Sequence, residues 1–339
     1  SSRRRLRPPA ASDFRRLASR LTRLTLAPPP MRYGYLFTRL AEMLPVLLIV
    51  VVATFFLAHA VPGGPFEKDR RMPPEVKKRL EEYYGLDKPL PSQLVTYVGN
   101  LCKGDLGPSL KYPGWSVNEI IGSRIPVSVQ LGLSALLLAI LIGIPVGVLA
   151  ASRPNTWLDR VPMGFTLLGI CVPSFVLGPL FALVFALGLG WFPPCGWGSP
   201  IHFVLPALTL GIVTAAPLAR LTRGKVIEAG NQDYVRTARA KGLPEGRVWF
   251  VHALRNGILP VVTYLGPAAA GLVSGSFVVE SLFDVPGLGR LFVSSIINRD
   301  FTLILGTTLV YAAALLVLNL VADLAKAALD PRVARGGDR

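Results

Sequence analysis

Residues 228–256 hold a close spacing of polar and turn-forming types: Asp233, Arg236, Arg239, Lys241, Glu245, Arg247, His252 and Arg255 around Gly242 and Pro244. Asp233 suits an N-cap, which predicts a short helix over residues 234–241. Gly242 suits the left-handed position past its end. Pro244 fits the first turn of a second helix, and Glu245 complements that helix's positive pole. Two short helices at a sharp bend make a rigid knob, to which Arg236, Arg239 and Lys241 lend a basic surface. Such a knob is either a solvated loop or a docking element; its residue types are those of contact, not of bond-making.

Reaction chemistry elsewhere is sparse. Gly224-Lys225 is followed by Val226, and no G-x-x-x-x-G-K-[ST] precedes it, so this chain writes no phosphate cradle of that kind. It also contains no G-x-S-x-G elbow and no H-E-x-x-H helix, which disfavours a membrane enzyme. His59, His202 and His252 fall in three separate regions, no pair is placed to share a metal, and each is expected to be structural or interfacial. Cys102, Cys171 and Cys195 form no C-x-x-C pair. Cys102 and Cys195 fall on the same expected side, where a bridge and two unpaired residues are both open.

The elements that carry these residues are apolar. Of 339 residues 51% are hydrophobic and 17% charged, mean hydropathy is +0.49, and 161–219 holds no Asp, Glu, Lys or Arg. As one helix that run would be about 90 Å long, against a bilayer core of about 30 Å. It must turn back, and a disordered, collagen-like or ordinary water-soluble chain is excluded. Charge-free windows predict an all-α polytopic membrane protein with six transmembrane helices, at 43–61, 127–150, 161–189, 203–219, 258–279 and 303–322. Pro173 and Pro179 fall inside the third, where a kink and not a break is expected. No charge lies deep in a span, which argues against an ion-coupled secondary transporter.

Segments 1–42, 151–160, 220–256 and 323–339 carry 10, 2, 8 and 4 Lys/Arg, while 193–202 and 280–300 carry 0 and 2. Basic residues collect on the cytoplasmic side, so both termini are expected there. The net charge of +16 is largely this sidedness, and without an aromatic-interleaved basic platform it does not indicate nucleic acid. Arg-rich sequence, an apolar run and Ala58-His59-Ala60 mimic a signal peptide, but the run is long for one, which favours an uncleaved span. Residues 1–30 hold eight arginines and a single acid; they suit either a helix on anionic lipid or disorder, and Met31 would serve as an alternative start. The expected units are a basic segment 1–40, a first helix with a large outer loop 41–126, a core 127–325 containing the cytoplasmic loop 220–256, and a tail 326–339.

The loop motif resembles the cytoplasmic loop of permease subunits of ATP-binding-cassette importers, in the form found in peptide and nickel permeases. That pattern begins Glu-Ala-Ala with a glycine four residues after the second alanine. Here Arg236-Thr237-Ala238 and Gly242 hold those places, and the later Ile-x-Leu-Pro becomes His252-Ala-Leu254-Arg255, with the proline displaced to Pro260. Departures of this kind typify the peptide subfamily. Pro62-Gly-Gly-Pro-Phe66, Tyr84-Gly-Leu-Asp-Lys-Pro89 and Gly104-Asp-Leu-Gly-Pro-Ser109 resemble the first outer loop of B-type oligopeptide permease subunits. Pro173-Ser-Phe-Val176, Pro286-Gly-Leu-Gly289, Asn298-Arg-Asp300 and Asp330-Pro331 continue the likeness in order.

The resemblance implies a type I importer permease fold in a bacterial inner membrane. It implies a homologous second permease subunit, two nucleotide-binding subunits that bind ATP and magnesium, an outer solute-binding protein, and peptide as cargo. This chain itself would hold no cofactor. Dipeptides, nickel chelates and glycans are alternative cargoes. ATPase-coupling positions would be Tyr234, Arg236, Thr237, Ala238, Arg239, Ala240, Lys241, Gly242 and Leu243, with Glu228 a weaker candidate. For the gate or pathway the candidates are Pro173, Ser174, Ser274, Ser276 and Glu280. Small residues around Gly266–Gly271 suit either close helix packing or a wide passage, and Glu280 suits either a gate or an interfacial anchor. The outer loop 62–126 either receives the solute-binding protein or caps the spans.

Overall fold

The computed structural model describes residues 33–61, 63–66 and 73–329, without the side chains of 33–36, 38, 74, 273–276 and 326–329. The basic segment 1–30, Met31, the tail 330–339 with Asp330-Pro331, and the side chains of Ser274 and Ser276 therefore lie outside the described residues. Among those described, there is no β-strand.

In chain order the helices are α1 (Tyr33–Ala60), α2 (Pro74–Tyr84), α3 (Leu90–Leu101), α4 (Val117–Ser152), α5 (Trp157–Cys171) and α6 (Ser174–Phe181). They continue with α7 (Val204–Gly230), α8 (Asp233–Ala240), α9 (Leu259–Leu282), α10 (Leu288–Asn298) and α11 (Phe301–Leu329). Four stretches are long and apolar enough to cross a membrane: Arg39–Ala60, Val117–Ser152, Pro200–Gly230 and Phe301–Ala325. A fifth comes from α5 and the run Ser174–Gly188 taken as one broken span.

That pair corrects the expected kink. Its two halves meet at 110°. Val172, forced out of the helical region by the proline that follows, is extended at φ −89 and ψ 118, and Pro173 follows at ψ 148. Beyond α6 the chain widens into a π-helical run, Ala182–Gly188.

Glycine makes the central contact. A Cβ at Gly143 would lie 2.9 Å from the Ala215 carbonyl oxygen, one at Gly147 2.6 Å from that of Ala219, and one at Gly211 3.1 Å from that of Ala135. Backbones this close exclude a side chain, so α4 and α7 fit along each other by a small-residue seam. α9 packs along α11 and α11 along α1. Lipid-facing leucines and valines of α1 and α4 stay exposed, as expected where the solvent is hydrocarbon.

At one end of the bundle, α2 and α3 form a small cap. Ser116 and Glu119 make a capping box that starts α4. Buried Asp300 begins α11 by accepting from Leu303 N at 3.1 Å, and it also accepts from Ser109 Oγ and from Leu110 N at 3.3 Å. It thus stitches the loop before α4 to the last helix. Gly104 and Gly107 turn at φ +78 and +86. All three cysteines are free and exposed, so there is no Cys102–Cys195 bridge.

Candidate coupling elbow and pathway groove

The knob predicted from the sequence is an elbow at the opposite end of the bundle from α2 and α3. Gln232, extended at φ −80 and ψ 155, occupies the N-cap position, and α8 starts one residue earlier than predicted, at Asp233. The Asp233 side chain pairs with Arg236 at 3.3 Å instead of capping, and both are solvent-exposed. The far end closes as a Schellman turn: Gly242 N donates to Arg239 O at 2.9 Å and Leu243 N to Ala238 O at 3.4 Å, with Gly242 at φ +76. Pro244, extended, then starts the second segment, Glu245–Arg247, which widens over Val248–Ala253 into a π-helical turn and ends in Leu254–Gly257. It stands just ahead of that helix, one place earlier than expected.

The elbow has its own core of Val235, Ala238 and Val248, with Leu243 against it. Tyr234, Arg236, Thr237, Arg239, Ala240, Lys241 and Gly242 form its exposed surface, Leu243 is half-buried, and Ala238 faces inward. Arg239 crosses the bend as a fork, Nε to Glu245 Oε1 at 2.8 Å and Nη2 to Oε2 at 3.3 Å. That hydrogen bond holds the Glu245 carboxyl below the usual carboxylate range. The same guanidinium lies 5.3 Å from the centroid of the Trp249 ring.

Trp249 roots the elbow in the bundle. It packs with Val148 and Ala151 of α4, and with Val226 and Ala229 of α7. At Gly230 a Cβ would sit 2.6 Å from the ring. Gly257 meets the Lys225 backbone closely too, 2.9 Å from Cβ position to carbonyl oxygen. Glu228 is exposed and paired with Lys225 at 2.8 Å. Beside the root, Arg223 forks onto buried Asp159, with Nη2 to Oδ2 at 2.7 Å, tying the start of α5 to α7.

The pathway candidates fall in two places. Ser174, at the start of α6 beside exposed Pro173, lines a groove of about 380 Å³ with Leu210, Thr214 and Pro217 of α7 and Tyr264, Ala268 and Gly271 of α9. Along α9, Gly266 packs on Ala322, the close packing expected of small residues, while a Cβ on Gly271 would meet nothing within 4 Å. Glu280 lies elsewhere, fully buried. Its Oε2 accepts from Gly289 N at 2.7 Å and Arg290 N at 3.3 Å, and its Oε1 from Ser128 Oγ at 2.7 Å. Ser128 in turn accepts from Leu288 N at 2.8 Å. A carboxylate and a hydroxyl thus cap α10 and bind it to α4 and α9. Trp249, Gly230 and Ser128 escape sequence reasoning; a lone tryptophan within a basic loop is the one available signal among them.

An all-helical chain with several lipid-length helices and a stiff polar elbow defines a multi-pass membrane protein. Residues 143–335 match the family described as "Binding-protein-dependent transport system inner membrane component". The chain is 44% identical over 301 residues, 88% of its length and 98% of the relative's, to the oligopeptide transport system permease protein OppB of Haemophilus influenzae. Identity to OppB of Salmonella typhimurium is 42% over the same shares. The dipeptide transport system permease protein DppB of Bacillus subtilis is 42% identical over 88% of this chain and 97% of its own. Among solved structures, a chain of the MetNI methionine ABC transporter aligns at TM-score 0.54 and 16% identity, over 62% of this chain and 96% of that one, which shows a shared fold. The chain belongs to the binding-protein-dependent transport system inner membrane component family, and it is a transport component.

Proposed function

We propose that this chain is the membrane-spanning permease subunit of an ATP-driven oligopeptide importer of a bacterial inner membrane. The observation that carries the mechanism is the elbow: a capped, internally packed helix pair, seated by Trp249 on α4 and α7. A lever must be stiff to transmit force, and this one is held by its cap, its core and the Arg239–Glu245 fork. Two nucleotide-binding subunits hold ATP and magnesium and hydrolyse it; their closure moves α8 as a rigid body and turns the spans between inward- and outward-facing states. The contact surface comprises Tyr234, Arg236, Thr237, Ala240, Lys241 and Gly242, with Ala238 and Leu243 supporting it from within.

The broken pair α5–α6 and helix α9 complete six spans, with both termini cytoplasmic. A homologous second permease subunit closes the pathway against the groove lined by Ser174, Tyr264 and Gly271; Ser274 and Ser276 stay candidates for the passage. An outer solute-binding protein delivers peptide to the end formed by α2 and α3. The same fold carrying dipeptides is the second reading, favoured by the identity to the Bacillus subtilis DppB.

Purification in mild detergent tests the assembly. Two ATPase chains and a second permease should co-purify, and the reconstituted complex should import oligopeptides only with ATP. A lone monomer with ion-driven uptake would overturn the proposal; ATP-driven uptake of dipeptides alone would select the second reading.

A further inference from the structure

Arg239 meets two groups across the bend, the Glu245 carboxylate and the Trp249 ring. Its guanidinium edge forks onto Glu245 at 2.8 and 3.3 Å, and its Cζ lies over the Trp249 ring, 5.3 Å from the centroid. Arg236, on the same helix, differs: its side chain is 76% exposed, and it reaches only back to Asp233. An exposed ion pair three residues away is worth little. A two-point fork beside an aromatic ring orients the guanidinium, which a point-charge ammonium cannot reproduce.

Trp249 is itself wedged. Its ring covers the Gly230 Cα at the end of α7 so closely that a Cβ there would come within 2.6 and 2.8 Å of ring atoms. Around it stand Val148 and Ala151 of α4 and Val226 and Ala229 of α7. Those two helices are in turn locked together at Gly143, Gly147 and Gly211. From α8 inward, every link in this chain of contacts is a rigid body or a planar group: guanidinium, indole, glycine seam.

We propose that Arg239, acting through Trp249, is the strut that carries motion of α8 into α4 and α7, and is thus a positioning residue for coupling, distinct from the surface offered to an ATPase subunit. This rests on the coupling role proposed above and assigns it a route. Close packing makes such a route effective, because cores deform in discrete steps and not continuously. The seat at Gly230 is part of the device, since any side chain there displaces the ring on which the arginine rests.

The complete complex, reconstituted in nanodiscs with its ATPase subunits and solute-binding protein, supplies the test. Two quantities are read for Arg239→Lys, Trp249→Ala, Trp249→Phe, Gly230→Ala and Arg236→Ala: ATPase subunits retained per permease, and peptide transported per ATP hydrolysed. A strut predicts full retention of the ATPase subunits with the transport ratio lowered about tenfold in Arg239→Lys and Trp249→Ala, equivalent to ~1.4 kcal/mol of coupling. Trp249→Phe, which keeps a flat ring, should recover much of the ratio. The double variant Arg239→Lys/Trp249→Ala should be no worse than either single one, as expected for two parts of one device. Loss of ATPase subunits from the Arg239 variant, while Trp249→Ala retains both subunits and ratio, would make Arg239 a surface contact and overturn the proposal. So would multiplicative losses in the double variant, or an unchanged ratio in Arg239→Lys. Should Trp249→Ala fail to assemble, Arg239→Lys and Trp249→Phe decide alone. Failure of the unsubstituted chain to retain ATPase subunits would sink the importer assignment instead, and is seen before any variant is compared.

Discussion

Replacing Gly242 with valine separates the backbone's share of elbow stiffness from everything else. The glycine sits at φ +76, and a Cβ built on it would meet nothing within 4 Å. No steric clash adds to the penalty, which leaves the left-handed conformation itself, about 1–2 kcal/mol for an L-residue. The cost falls on the two bonds of the Schellman turn, from Gly242 N to Arg239 O and Leu243 N to Ala238 O. Both lie at the end of a short helix, so the elbow opens locally long before the bundle unfolds. Residues 241–248 should then open about 5- to 30-fold more often, while α4 and α7 are unaffected. Amide hydrogen exchange followed by mass spectrometry, on the protein in nanodiscs, reads that ratio peptide by peptide. Gly242→Asn is the companion, because asparagine visits the left-handed region readily; it should exchange much closer to the unsubstituted chain. Valine exchanging at the original rate, or asparagine exchanging as fast as valine, would refute the reasoning that a left-handed hinge sets the stiffness of this lever.

Three further outcomes are expected. Gly147→Ala places a methyl 2.6 Å from the Ala219 carbonyl oxygen and should cost about 1–3 kcal/mol by overpacking the α4–α7 seam. Gly164→Ala, with nothing within 4 Å of its Cβ position, should be neutral, and thermal melting in detergent compares the two. Glu280→Ala strips the buried Gly289 amide, and the part-buried Arg290 amide, of their acceptor, at about 1–3 kcal/mol for the buried group left unpaired. Glu280→Gln keeps one acceptor oxygen and should lose much less; equal melting points for the two would remove the capping role. Acid should loosen the elbow through Glu245, whose carboxyl Arg239 holds below the ordinary range. A depressed folded value stabilises above the ordinary carboxylate range, near 4.3, and that stabilisation fades as pH falls through the depressed value. Trp249 fluorescence should follow the transition, and it should flatten in Glu245→Gln.

Local chemistry is what a sequence states most openly, and the elbow shows how far that reaches. Gly242 and Pro244 place the bend because their backbone preferences act within a few residues. The one-residue shift at the start of α8 arises because Asp233 turns to Arg236, a choice between two acceptable partners that spacing alone leaves open. Ala238 is a harder case: its alanine fits a helix surface equally well, and only the return of Val248 turns that face inward. Glu280 is harder still, since Ser128 lies 152 positions away in the chain and nothing near residue 280 signals a hydroxyl.

The broken pair α5–α6 shows the limit of hydropathy. A charge-free apolar run reports that a segment prefers lipid and is silent on its direction within it. Pro173 supplies a place to bend, but a proline in a span is equally compatible with a gentle kink. What lies beyond the bend decides the matter. At Gly178 a Cβ would come within 2.9 Å of Leu282 and 3.2 Å of Phe283, so α6 rests its glycine directly on the far end of α9. A sharp turn brings those surfaces together, and the contact it gains with Leu282 and Phe283 offsets the helical continuity lost where Pro173 supplies no N–H. The kink and the break are thus the same proline in two tertiary settings, and the setting belongs to α9.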